Sequence, residues 1–392
     1  MAERRWRGFD ADNHYYEATD AFTRYIEPEF AKRGMQWAEV NGRTRLLVGG
    51  RINRFIPDPT FSRLARPGAL EDYFRGQVGG SVKELFGDLE PPRPEYRDRD
   101  ARLTAMDRLG LDGALFFPTL GVGMEQALRH DLPAMAAVFR AFNAWLEEDW
   151  GFHYKERIFG APYLTLADPD NALAQLDWVL DRGARVAVMQ AGPVWTERGW
   201  KNPGDPMFDR FWATAAEAGL VIAYHGGDSA YSDISTWWGE SGETEAFQGG
   251  RLRGLLSPTP VADTLASLLA YGVLTRHPRL RIAAIETGSD WVGPLFRLLK
   301  KSFAQNPWRW DEDPRDTFRR QVWIAPFHEN DLAELKALVG ADRIMLGSDW
   351  PHTEGLAEPL SFVRDLEQAG YGDAEIQAVM YDNAAALVRP PA

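Results

Sequence analysis

The sequence predicts an α/β protein, a (β/α)8 TIM barrel with a cap inserted after its first strand. Three observations predict it. Eight apolar runs of strand character alternate with helical patterns along 392 residues, the alternation expected of that fold. Several runs end in a carboxylate, an imidazole or an amide, so polar groups collect at the C-terminal strand ends, where such barrels build their active sites. The length also exceeds the roughly 250 residues of a bare barrel, and the surplus lies mainly at about residues 18–99, within a single barrel domain spanning residues 1–392.

The elements follow in order. Strand one is "GFDADNHYYE" (Gly8 to Glu17), where Asp10, Asp12 and His14 alternate with Ala11 and Asn13 and so share one face. The cap segment is rich in Pro, Gly, Arg and aromatics and holds two extended pieces, "QWAEVNG" and "RTRLLVGGRI". Its apolar side chains, Trp37, Phe55, Phe61, Tyr73, Phe74 and Phe86, argue for an ordered cap and against a disordered linker. A helix from Asp100 to Leu109 precedes strand two, "GALFFPT" (Gly113 to Thr119), and a helix from Leu132 to Glu148 precedes strand three, "RIFGAPYLT" (Arg157 to Thr165). Strand four, "RVAVMQ" (Arg185 to Gln190), follows a helix from Asn171 to Leu180. After a helix from Phe208 to Ala218 comes strand five, "LVIAYHGG" (Leu220 to Gly227), whose His225 precedes two glycines that let the backbone turn close to a ligand. Helices at Val261 to Leu274, Trp291 to Phe303 and Asp331 to Val339 separate strand six, "LRIAAIE" (Leu280 to Glu286), strand seven, "QVWIAP" (Gln321 to Pro326), and strand eight. Strand eight opens "RIMLGSDWPH" (Arg343 to His352), an apolar run stopping at Asp349.

The strand ends carry the chemistry. Asp12 and His14 on strand one, His225 on strand five and Asp349 on strand eight are the candidate metal ligands. Asp349 alone reads equally as a strand end, and each histidine alone reads first as a hydrogen-bonded strand-end residue; their joint position makes the case. Mixed nitrogen and oxygen ligation suits zinc first, and also manganese or iron, so one divalent metal ion is expected. A net charge of −13 with no basic run argues against a nucleic-acid partner. Cysteine is absent, which removes disulfides, thiolate metal sites and thiol nucleophiles. No apolar segment follows "MAERRWRG" and no run approaches about 18 apolar residues, so no membrane span and a cytoplasmic location are expected.

In order, "DADNHYYE", "HGG", "GVLTRHPRLRIAAIETGSDWVGPL" and "RIMLGSDWPHTEG" resemble the amidohydrolase-related family. This is the branch that includes aminocarboxymuconate-semialdehyde decarboxylase, γ-resorcylate decarboxylase and 5-carboxyvanillate decarboxylase. The resemblance covers strand one and nearly everything from Ala101 to Leu387. It implies that Asp12, His14, His225 and Asp349 bind the metal. Three departures stand out. The superfamily's HxH is here Asp-x-His, as in several decarboxylases of the branch, and Gln190 stands where two-metal members carry a carboxylated lysine, which implies one metal. Glu286 replaces the histidine that the decarboxylases place at the end of strand six.

Two reactions remain open. In the leading reading the protein is a hydrolase of a small amide, lactone or ester: metal-activated water attacks, Asp349 takes its proton and His352 supports a leaving group or oxyanion. The alternative is a non-oxidative decarboxylase of an aromatic or unsaturated acid. Glu286 is either a proton-handling group or a carboxylate that orients a ligand histidine or pairs with an arginine. His328, Trp237 and Arg54 are the candidate substrate contacts, with Glu329, Arg251 and Arg253 behind them; Glu17 is expected to support His14, and the aromatic loop Tyr231 to Glu240 to wall the pocket. His277, immediately before a strand, falls at the opposite end of the barrel and reads as structural. The partners expected are a small-molecule substrate and further copies of the chain, a homo-oligomer suggested by the fifteen Trp residues and by the resemblance.

Overall fold

The computed structural model describes residues 5–239, 252 and 259–389. Strand one (Gly8–Tyr15) pairs in parallel with strand two (Leu111–Pro118), which pairs with strand three (Ile158–Gly160). Strands four (Val186–Gln190), five (Val221–His225), six (Arg281–Ile285) and seven (Val322–Ile324) form a second parallel sheet in consecutive order. Isolated parallel bridges complete the ring: Tyr163 with Val188, Ile324 with Ile344, and Asn13 with Trp350. The last two belong to strand eight, residues 344–350. Met345 N donates to Ile324 O at 2.9 Å on one side, while Ala11 N donates to Leu346 O at 2.7 Å and Asp349 N to Asp12 O at 2.8 Å on the other. Every residue of strand one is buried, its charged ones included, because helices cover one face and the barrel interior the other.

The helices form where local signals agree. Those at Arg99–Leu109, Leu132–Asp149, Pro169–Leu180 and Leu332–Val339 each begin at an aspartate, respectively Asp98, Asp131, Asp168 and Asp331, whose side chain accepts a first-turn backbone N–H. Those at Asp209–Ala218, Pro260–Ala270 and Val292–Gln305 complete the outer layer. The helix expected across Val261 to Leu274 is broken: it stops at Ala270 and restarts at Val273–Arg276, because Gly272 adopts φ 68° between them. A short helix, Pro314–Gln321, leads into strand seven and was not expected. No helix among the described residues is long and apolar enough to cross a membrane.

Between strands one and two, Met35–Val40 and Arg43–Val48 form an antiparallel hairpin extended by Arg51–Ile52. Asn41 at φ 53° and Gly42 at φ 70° make its turn, the Asn-Gly pairing that suits two-residue hairpins. The rest of the insertion runs over the C-terminal mouth of the barrel and is fastened there. Asn53 Nδ2 donates to Gly123 O at 3.2 Å, Gly68 N to His352 O at 3.1 Å and Leu70 N to Thr353 O at 2.7 Å. Phe55 packs so closely on Gly123 that a Cβ there would lie 2.5 Å from the ring. Arg75 makes a two-pronged ion pair, both contacts 2.9 Å, with Asp365 of the helix that follows strand eight.

Candidate active site

Asp12, His14, His225, Glu286, Asp349 and His352 converge at the C-terminal mouth, around the His14 imidazole. His14 Nε2 lies 3.3 Å from Asp12 Oδ1, 3.3 Å from Glu286 Oε2 and 3.4 Å from Asp349 Oδ1. His225 Nε2 lies 3.2 Å from His14 Nε2, 3.3 Å from Asp12 Oδ1 and 3.2 Å from Glu286 Oε2. His352 stacks on His14 with ring centroids 4.1 Å apart, and its Nε2 is 3.0 Å from Thr119 Oγ1. The backbone turns sharply where strands six and eight deliver their acids: Glu286 sits at φ 50° and Asp349 at φ 56°, strained values for residues with a side chain.

Buried polar groups behind the cluster set these positions. The Asp10 carboxylate accepts from Ser348 N at 2.9 Å, Ser348 Oγ at 2.5 Å and Asn13 Nδ2 at 2.8 Å, so it ties strand one to strand eight and does not join the cluster. Arg102, fully buried, donates to His14 O at 2.7 Å, Asn13 Oδ1 at 2.5 Å and Glu95 O at 2.6 Å, and its guanidinium lies 4.6 Å from the Trp350 ring centre. Glu17 does not support His14 directly. Its Oε1 accepts from Leu120 N and Gly121 N at 2.8 and 3.0 Å, which fixes the loop after strand two.

The donor set fits a cation. His225 Nδ1 lies 2.7 Å from Gly226 O, which can only accept, so Nδ1 carries a proton and Nε2 is the nitrogen that faces the cluster. Asp349 Oδ1 lies 2.6 Å from His352 Nδ1 but lacks hydrogen-bond direction, and both Asp349 oxygens are buried without a donor. Burial opposes charge on His14, yet Asp12 and Glu286 overcome it and push the imidazole up to about 10, so the cluster attracts positive charge strongly. A metal ion here would displace that proton. Burial and the surrounding carboxylates Glu286, Glu354, Asp12 and Asp10 push Asp349 well above the usual carboxylate range. Burial and the nearby His14, His225 and Arg102 push His352 well down and keep it neutral.

A cavity of about 800 Å³ opens on the cluster. Its floor carries His14, His225, Glu286 and His352; its walls come largely from the insertion. Three expected substrate contacts lie elsewhere. Trp237 ends a short helix, Ser232–Trp237, and is 79% exposed, so none of the described part of that aromatic loop lines this cavity, and Glu240 lies outside the described residues. His328 is buried in the turn after strand seven, where Asn330 Oδ1 accepts from Phe327 N and Ser289 N; its carbonyl meets Arg75 at 3.4 Å, and it lines a separate surface depression, as does Glu329. Arg54 is exposed, while the adjacent Phe55 and Ile56 turn into the cavity. Arg251 and Arg253 lie outside the described residues. His277, as expected at the far end, meets Asp209 Oδ1 at 3.0 Å. Reasoning from sequence missed Arg102 and also Glu354, a cavity-lining carboxyl that burial and Glu286 push up to about 7.

A parallel barrel with a carboxylate and imidazole cation site at its C-terminal mouth defines a class of metal-dependent barrel enzymes. The amidohydrolase family model matches residues 11–389, and the chain belongs to that family, as an enzyme of the amidohydrolase superfamily. A solved amidohydrolase from Mycobacterium avium subsp. paratuberculosis is 41% identical, covers 99% of this chain and 100% of its own, and superposes with a TM-score of 0.93. The γ-resorcylate decarboxylase of Rhizobium radiobacter is 24% identical over 272 residues, 64% of this chain and 76% of that protein. The fold is also that of 5-carboxyvanillate decarboxylase from Novosphingobium aromaticivorans, solved with manganese and 4-hydroxy-3-methoxy-5-nitrobenzoic acid, with a TM-score of 0.59, 15% identity and coverage of 98% and 96% of the two chains.

Proposed function

We propose that the protein is a metal-dependent, non-oxidative decarboxylase of an aromatic or unsaturated carboxylic acid, which reverses the order of the two readings drawn from the sequence. The similarity to γ-resorcylate decarboxylase over 272 residues carries this choice. The missing strand-six histidine, the main argument against it, loses force because another imidazole, His352, stands beside Asp349. Asp12, His14, His225 and Asp349 would hold a divalent cation, with Glu286 within reach, and the ion would supply positive charge for a substrate carboxylate. Manganese suits so carboxylate-rich a donor set as well as zinc does.

The chain's own groups then handle the proton. The bond between the ring or alkenyl carbon and the carboxylate breaks, its electron pair stays on that carbon, and carbon dioxide leaves. Asp349 delivers a proton to the same carbon and recovers one from solvent. Neutral His352 is fixed by Thr119, with Nε2 3.0 Å from its hydroxyl, and places Nδ1 2.6 Å from the Asp349 carboxylate. Hydrolysis remains the second reading, favoured by one observation: Glu286, not an imidazole, ends strand six.

The test is carbon dioxide release from a panel of ortho-hydroxyaryl and alkenyl carboxylates by metal-loaded and metal-stripped protein. Release that needs both the metal and Asp349 supports the proposal. Turnover of lactones or amides without any such release would replace it with hydrolysis.

A further inference from the structure

The reaction needs only the floor of the cavity, yet the space above is several times larger than one ring requires. A cavity of about 150 Å³ is enough to hold benzene, and the space over the cluster is about 800 Å³, within the range of pockets that enclose drug-sized molecules. Its lining divides by origin, largely polar around the cluster and mainly apolar on the insertion, where Asp58, Arg63, Ser81 and Lys83 are the polar members. The cluster residues line the bottom, while Phe55, Ile56, Phe61, Leu64, Val82 and Phe86 of the insertion line the upper walls. Arg63 and Lys83, the cations that border it, are exposed at the rim. The upper wall is also prebuilt. Phe55 is locked on Gly123 and Phe61 packs on Tyr16 with ring centroids 4.7 Å apart. The same insertion is hydrogen-bonded to His352 and Thr353, next to the reacting groups.

We propose that the substrate is an amphipathic acid whose reacting carboxylate end joins an apolar body larger than a single ring, a second ring or a comparable branched chain, and that Leu64, Val82 and Phe86 of the insertion select for that body. The inference rests on the site's taking an aryl or alkenyl carboxylate. Burial of the second ring against these side chains supplies affinity that a single-ring acid lacks.

Isothermal calorimetry on the metal-loaded protein tests it, with salicylate and its 4-phenyl and 5-phenyl derivatives as probes. At least one phenyl derivative should bind tenfold or more tightly than salicylate. Phe86→Ala should cut that advantage below threefold, and Val82→Trp should abolish it by filling the space, both leaving the salicylate Kd within about twofold. Equal binding of all three probes overturns the inference, as does a loss of salicylate affinity as large as the loss for the phenyl derivatives. The two proposals fail separately. Selective binding, with turnover of lactones or amides and no carbon dioxide release, refutes decarboxylation but supports the size selection. Release from salicylate with no binding advantage for the larger acids does the reverse.

Discussion

Arg102→Met replaces a fully buried guanidinium with an apolar side chain of similar length, and its cost follows from what the guanidinium leaves behind. Three acceptors lose their donors: His14 O, Asn13 Oδ1 and Glu95 O. A buried acceptor left unsatisfied costs about 1–3 kcal/mol, so the three together lose several. Set against this is relief from burying a cation, a cost visible in the burial that pulls Arg102 down to about 9. The acceptors win, because hydrogen bonds to a charged donor are worth about 1.5–3 kcal/mol each and three are lost, which leaves a net loss of a few kcal/mol. Denaturant unfolding at neutral pH should show a loss of that order, and Arg102→Lys, which keeps the charge but not the fork, an intermediate one. The backbone of His14 is one of the three partners, so metal affinity should fall as well. A loss below about 1 kcal/mol with metal affinity unchanged would refute the view that Arg102 positions strand one.

Further outcomes follow from the cluster and from a carboxyl outside it. Asp349→Asn should fold and melt as the parent does yet lose about two orders of magnitude in turnover, as expected on removal of a positioned proton carrier; near-parent turnover would exclude that role. Protein purified without chelator should hold about one equivalent of divalent metal, and Glu286→Gln should weaken retention by about ten- to a hundredfold if its carboxylate serves the ion; elemental analysis after dialysis reads both. Glu125 receives hydrogen bonds from Tyr163 and Thr165, but burial outweighs them and pushes its carboxyl up to about 7. Its folded value lies above its unfolded one, so its stabilising contribution is full below about pH 4.5 and is lost as pH rises through about 7, some 3 kcal/mol in all. The stability difference between parent and Glu125→Gln should therefore move by that amount, against the parent, from pH 4.5 to 7, and a flat difference would rule it out.

The barrel was legible because each strand is an apolar run between turn signals and because the acids and imidazoles sit at strand ends, where direction is fixed by the sheet. Asp12, His14 and His225 lie together with Glu286 for that reason, and Asp349 meets His14 and Glu286 in an adjoining group with His352. Trp237, His328 and Arg54 were misplaced for the converse reason: each lies in a loop, where the side-chain direction depends on a short helix, a turn held by Asn330 or a neighbouring aromatic residue that takes the inward position. Arg102 left a signal that was not used. It shares the helix face of Ala105, Met106 and Leu109 at spacings of three and four, and an arginine on an apolar face needs buried acceptors. The Asn-Gly turn of the insertion was equally readable. The cavity above the cluster was not, because its walls come from residues far apart in sequence that only the docking of the insertion brings over the barrel mouth.

The most direct test is product analysis from one reaction, run in deuterium oxide enriched in oxygen-18 with the metal-loaded protein and an aryl carboxylate that it turns over. Decarboxylation predicts carbon dioxide, one deuteron on the carbon that carried the carboxylate, and no substrate bond opened by water. A product carboxylate carrying solvent oxygen from ester or amide cleavage, with no carbon dioxide released, would contradict it.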